Sequence, residues 1–197
     1  MPWENFIGLI VFAFVTSVTP GPNNMMLLAS GVNYGLKRTW PHIFGIAFGV
    51  STLLLAMALG LGTLFVLFPP LNTVLKFIGA AYMVWLAWKI ATSGGPNENN
   101  SNSRPMNFIE AMAFQWVNPK AWVMALGAVS GYFNADTPLV SGAVLLVTFW
   151  VTGVFSIIPW AAFGQAMQRF MADQKRLTWF NYAMGLGLVA SIWPMLR

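Results

Sequence analysis

Thr19-Pro20-Gly21-Pro22-Asn23-Asn24 lies midway along a segment that holds no charged residue between Glu4 and Lys37. That segment is ample for a membrane helix, which needs about 20 mainly apolar residues. A continuous helix through Pro-Gly-Pro is disfavoured. Pro20 and Pro22 each remove a backbone donor, and Gly21 tolerates conformations closed to other residues. Broken backbone at membrane depth is tolerated only where it is buried in protein or lines a polar cavity. The hexapeptide therefore has two readings. One is a discontinuous helix whose second half starts near Asn23, with free N–H groups and a positive dipole end that suit a carboxylate. The other is a simple kink, or a helix that ends at the interface with a capping Asn. The adjacent Asn23 and Asn24, costly if unpaired in hydrocarbon, favour the first.

Composition agrees with a lipid environment. The 197 residues are 57% hydrophobic and 8% charged, against roughly a quarter charged in a water-soluble domain. The net charge of +5 does not point to nucleic acid, because the basic residues sit singly or in pairs between apolar runs. With no cysteine, disulfides, thiolate nucleophiles and cysteine-bound metals are excluded, and the single histidine, His42, argues against a histidine metal site. No cofactor is expected. The start, Met1-Pro2-Trp3-Glu4, lacks the basic residues of a secretory signal, so its apolar segment is expected to remain as the first membrane helix.

Outward from that segment, the pattern predicts a second span at about 40–67, ending at Pro69-Pro70, and a third at about 71–92 between Lys76 and Lys89. A hydrophilic stretch from Ser93 to Ser103, rich in Asn, Ser and Gly, reads as a flexible loop. Further spans follow at about 108–130, 138–166 and 178–196, with a charged turn from Arg169 to Arg176 before the last. The reading is an all-α integral membrane protein with six transmembrane helices. Residues 1–93 form one three-helix repeat, 94–107 a cytoplasmic linker, and 108–197 a second repeat.

Lys37, Arg38, Lys89, Arg104, Arg169, Lys175 and Arg176 share one side of this topology, and only Lys76 and Arg197 fall on the other. Basic residues stay cytoplasmic, which places both termini outside. An odd number of spans per half turns the two halves over with respect to each other, an inverted repeat.

Gln115-Trp116-Val117-Asn118-Pro119-Lys120 is the positional counterpart of the first motif, in the fourth span. Gln115 and Asn118 are three apart and share a helix face. Pro119 would free a carbonyl about one turn back. Lys120 falls about 18 Å beyond Phe108 along a helix, deep enough that its charge costs at least about 2.5 kcal/mol unless it faces a cavity or snorkels. It suits a cation for a substrate carboxylate or a structural partner for loop carbonyls. Glu110, near the start of the same span, suits a helix-dipole complement better than a proton-coupling carboxylate. His42 likewise suits an interfacial residue better than a proton relay. The spacings Gly31/Gly35, Gly45/Gly49 and Gly127/Gly131 permit close helix contact. Tyr82, Trp85 and Trp88 read as packing or belt residues.

These motifs resemble the LysE/RhtB superfamily of amino acid exporters over nearly the whole chain. The resemblance rests on Thr19-Pro20-Gly21-Pro22-Asn23, on Gly35, His42, Gly45 and Gly49, on Gly79 to Lys89, and on Phe108 with Asn118-Pro119-Lys120-Ala121. Trp160, Gly164 and Gly185 are weaker matches, and Ala111 stands where many members have glycine. The string Ala80 to Ser93, with Thr19–Asn24 and Gln115–Asn118, is most similar to the cysteine and O-acetylserine exporter branch. The resemblance implies efflux of small zwitterionic amino acids driven by the proton gradient. The partners expected are an amino acid substrate and the lipid bilayer, with no nucleic acid; a homo-oligomer is compatible with the sequence.

A passive channel would share the same helices. A membrane-embedded enzyme would need a concentrated set of acid–base, nucleophilic or metal-binding residues, which is missing here. An assembly subunit would leave broken helices with mid-membrane amides without a purpose. The expected mechanism is alternating access around the two broken helices, with Asn23, Asn24, Gln115 and Asn118 as polar contacts and Lys120 as the charge. Replacing Asn23 or Asn118 with Leu is expected to abolish export while membrane insertion persists; retained transport in both variants would refute the assignment.

Overall fold

The computed structural model describes residues 3–93 and 104–193, and among these there is no strand. The first apolar segment divides into α1 (Trp3–Val18) and α2 (Pro22–Tyr34), bent by 55° at the break. Gly35 turns the chain with φ +79, its N–H returning to Gly31 O at 3.0 Å. This left-handed corner favours glycine. Next come α3 (Leu36–Ala58), α4 (Leu61–Leu67) and α5 (Pro69–Ala91). The second half holds α6 (Phe108–Phe114), α7 (Pro119–Tyr132), α8 (Pro138–Met167), a short 3₁₀ turn (Phe170–Ala172) and α9 (Gln174–Ala190).

Prolines open α2, α5, α7 and α8. There the missing N–H is one the first helical turn leaves unpaired anyway. Asn107 caps α6 and Asp173 caps α9 through their side chains.

The expected single helix over 40–67 is corrected. It begins at Leu36 and stops at Ala58, because Gly60 takes φ +97 and α4 continues as a separate piece. The fourth expected span is two helices, α6 and α7, parted at 115–118, where the sequence places the second helix break. Residues 94–103, which make up most of the expected flexible loop and of the 94–107 linker, and the end of the last span beyond residue 193 lie outside the described residues. By length and composition, three described helical stretches can each cross a membrane: α3, Thr73–Ala91 of α5, and α8. The bent α1–α2 pair qualifies as a fourth.

Large side chains face outward as well as inward. Phe77, Val123, Phe155 and Leu186 are all well over half exposed, a surface suited to lipid and not to water. Two buried apolar clusters lie inside. One gathers Met26, Leu27, Ile43, Met83, Phe114, Ile157 and Leu188. The other gathers Leu9, Leu53, Met124, Leu145 and Phe149.

The two halves interlock. α8 packs along α1, α2 and α3; α3 also packs on α6 and α7; and α5 packs on α9. Glycine sets the closest approaches. A Cβ on Gly31 would stand 2.2 Å from Ala161 O, and one on Gly164 would stand 2.3 Å from Leu28 O. Gly31 is thus paired with α8, not along its own helix with Gly35. Gly45 and Gly49 both face α6, where added Cβ atoms would meet Phe108 O at 2.4 Å and Gln115 Cγ at 2.5 Å. The Gly127/Gly131 spacing makes no such contact between helix backbones: Gly127 faces the ring of Phe12, and Gly131 has open space.

Gly45→Val should therefore prevent recovery of monodisperse protein in mild detergent. Gly131→Ala should leave the yield unchanged. Equal yields for the two would show that the α3–α6 contact is not required for folding.

Candidate functional site

The first break leaves the C-terminal carbonyls of α1 without helical partners, and three side chains take them. Asn24 Nδ2 donates to Ser17 O (2.9 Å), Val18 O (3.3 Å) and Thr19 O (2.7 Å). Trp160 Nε1, from α8, donates to Val18 O at 3.1 Å. Lys120 Nζ, from α7, donates to Thr19 O (2.6 Å), Thr19 Oγ1 (2.9 Å) and Pro20 O (3.3 Å). The ammonium also complements the negative end of the α1 dipole.

Gly21 has a different role from the one expected of it. Its φ of 176 is extended backbone open to any residue. What favours glycine is space, since a Cβ would stand 2.9 Å from Lys120 Cδ and push that side chain aside. Pro22 occupies the first turn of α2, where its ring is tolerated.

The second break is tighter. After Phe114 the N–H groups of Gln115, Trp116, Val117 and Asn118 bond to carbonyls three residues back, at 3.0–3.3 Å. Gln115 O, the carbonyl that Pro119 deprives of its helical donor, is taken by Asn118 N at 3.3 Å. Asn118 then caps α7 by accepting from Lys120 N at 3.1 Å. Its Nδ2 donates to Gln115 Oε1 at 3.2 Å.

The breaks meet face to face. Asn23 Nδ2 donates to Gln115 Oε1 at 2.8 Å, and Gln115 Nε2 returns a bond to Asn23 Oδ1 at 3.0 Å. Gln115 Nε2 also reaches Ala111 O at 3.0 Å. Gln115, Asn118 and Asn24 are buried, at 0%, 1% and 2% exposure. Asn23, Asn24, Asn118 and Lys120 line a common cavity of about 40 Å³ with Thr16, Ser17 and Gly21 and the apolar Ile46, Val50, Met124 and Phe149. That is room for about three waters. Gln115 stands behind Asn23 and does not line the cavity itself. All five polar residues read from the sequence thus belong to one hydrogen-bonded group.

Glu110 and His42 lie elsewhere. Glu110 forms a reciprocal cap with Asn107: its N–H donates to Asn107 Oδ1 at 2.8 Å, and its Oε2 accepts from Asn107 N at 2.9 Å. Both carboxylate oxygens also accept from Arg104, one of them at 2.7 Å. The carboxylate in turn lifts the Arg104 guanidinium above its ordinary range. This is a helix-start role. His42 is 1% exposed, and neither ring nitrogen has a hydrogen-bond partner among the described residues.

Sequence reasoning missed the Trp160 bond and a second polar knot. In the latter, Asn33 Nδ2 donates to Asn181 Oδ1 at 2.9 Å, and Asn181 Nδ2 donates to Ser93 O at 2.7 Å. Buried Asn residues in otherwise apolar helices were the available signal, because each needs a partner.

The comparisons with known proteins fit this geometry. A family model described as LysE type translocator matches residues 14–190, a range that includes both breaks. Cysteine/O-acetylserine efflux proteins of Escherichia coli (strain K12), Shigella sonnei (strain Ss046) and Shigella flexneri are each 32% identical to this chain over 179 residues. The match covers 90% of this chain and 90% of each relative. No solved structure matches the chain. A family model that takes in both broken helices, together with relatives aligned over nine-tenths of their length, means that this chain belongs to the LysE-type translocator family.

Proposed function

We propose that the chain is a secondary transporter that exports small zwitterionic amino acids, such as cysteine and O-acetylserine, across the inner membrane of a bacterial cell. The observation that carries this reading is the junction of the two helix breaks, one from each half, around one polar cavity. A carboxylate suits the N-terminal end of α2 and the Lys120 ammonium; an ammonium group suits the amide oxygens of Asn23, Asn24 and Asn118. The relatives' efflux of cysteine and O-acetylserine supplies the substrate class. The proton gradient, implied by the family resemblance, is the driving force.

The architecture in this reading is six spans in two inverted repeats, the α1–α2 pair corresponding to α6–α7, α3 to α8, and α5 to α9. Packing supports it. Exchanging each element for its counterpart turns the α1·α8 contact into α6·α3 and the α2·α8 contact into α7·α3, and all four are present. The α3·α8 and α5·α9 contacts map onto themselves, as an internal two-fold axis requires. Both termini lie outside, and the basic connections lie inside.

Alternating access then amounts to parting and rejoining the two breaks. The Asn23–Gln115 amide pair is neutral, and two such bonds contribute about 1–3 kcal/mol net. A gap of that size leaves the parted state populated at the per cent level. The Lys120 bonds to Thr19 and Pro20 are the ones a substrate carboxylate replaces.

Counterflow in proteoliposomes tests the function. Labelled cysteine or O-acetylserine should accumulate against an unlabelled internal pool. Asn118→Leu and Lys120→Met should reduce accumulation at least about tenfold, with protein still inserted and folded. The lost Asn118 cap costs about 1 kcal/mol of stability, too little to unfold the chain. No accumulation of any amino acid by folded wild-type protein would overturn the proposal.

Topology has its own test, because the chain has no cysteine and every introduced thiol is a clean reporter. Lys37→Cys should resist an impermeant maleimide on intact cells, and Ala135→Cys should react with it. The reverse pattern would invert the orientation.

A further inference from the structure

A second cavity, of about 50 Å³, lies on the basic side of the molecule. His42, Ser30 and Asn33 form its inner wall, and Lys89 and Arg104 stand at its outer end. Its polar lining is satisfied apart from one residue. Ser30 shares a hydrogen bond with Thr39 (2.8 Å), and Asn33 is held by Ala29 and Asn181. His42 alone presents two ring nitrogens, both fully buried and without a protein partner among the described residues. A neutral imidazole offers one donor and one acceptor, and buried polar atoms in native proteins are as a rule bonded. Lys89, whose ammonium stands 5.2 Å over the Trp85 ring, makes no ion pair among the described residues.

The two cavities are stacked. On α3, His42 lines the outer one and Ile46, about 6 Å or one turn along, lines the inner one. On α2, Asn24 lines the inner cavity and Met26 the outer. Between them lies the apolar layer that includes Met26, Ile43 and Ile46.

We propose that the His42 cavity is a second amino acid site, a loading station on the cytoplasmic side that takes the zwitterion before it reaches the helix breaks. Its carboxylate answers Lys89, and its ammonium answers the imidazole lone pair. A simple anion leaves the lone pair unmet, and a simple amine leaves Lys89 unmet. The layer of Met26 and Ile46 is then the barrier the substrate passes between stations. The inference rests on the transport reading above and extends it.

His42 is the sole histidine, so ¹⁵N-histidine labelling of the untagged full-length protein gives signals from this ring alone. Saturating O-acetylserine should shift both ring nitrogens, and the shift should persist in Asn118→Leu, where the inner site is disabled. N-acetylserine, which lacks the ammonium, and serine methyl ester, which lacks the carboxylate, should produce less than about a tenth of it. His42→Leu should raise the KM for export about tenfold or more, with His42→Gln, which keeps a donor and an acceptor, intermediate. A ring that does not respond to substrate in a wild-type protein active in counterflow would overturn the inference and leave the transport reading intact, the cavity then holding water only. A response lost in Asn118→Leu would also overturn it, as a change relayed from the inner site. Failure of wild-type counterflow for every amino acid would instead remove the reading on which it rests.

Discussion

Backbone carbonyls released by a broken helix have to be bonded again when no water surrounds them, and the middle of this molecule is arranged around that requirement. The end of α1 presents the carbonyls of Ser17, Val18, Thr19 and Pro20, and α2, α7 and α8 each send a side chain to them. Asn24, Lys120 and Trp160 thereby bring three helices to a single point. Leaving such groups unpaired in an apolar setting costs several kcal/mol. The break is consequently a site of assembly as well as a weak point, because two of the three groups that close it, Lys120 and Trp160, come from the other half of the chain.

Close packing around the break follows from small residues. α2 and α8 approach through Gly31 and Gly164 until each glycine lies against the other helix's backbone. α3 lies as tightly on α6 through Gly45 and Gly49, and this brings Gln115 to Asn23. A lipid-exposed fold gains little from hydrophobic burial between helices, so such contacts and the polar pairs they align carry much of the specificity.

Polar groups in this interior fall into two kinds. Glu110 is bonded on every side by Arg104 and Asn107 and serves the start of a helix. Asn23 and Gln115 are bonded to each other across the two breaks, and Lys120 to the carbonyls of Thr19 and Pro20, so their partners lie in the other half of the chain. His42 is satisfied by neither route.

Much of this was legible in the order of residues. The lack of charge between Glu4 and Lys37 and the Pro-Gly-Pro at its centre require a broken apolar helix, since the ring of proline and its missing N–H act on the local backbone whatever surrounds them. The same holds for Asn118-Pro119, and the clustering of basic residues separates the two sides. Partners were beyond that reach. Whether Lys120 would face a substrate, snorkel or bond carbonyls depended on Thr19, a residue 101 positions away. The early end of α3 depended on the backbone at Gly60, and the burial of His42 on how α2, α3 and α5 close over it. Proline, glycine and charge act within a turn or two of themselves, whereas a hydrogen bond between distant residues exists only once the helices have packed.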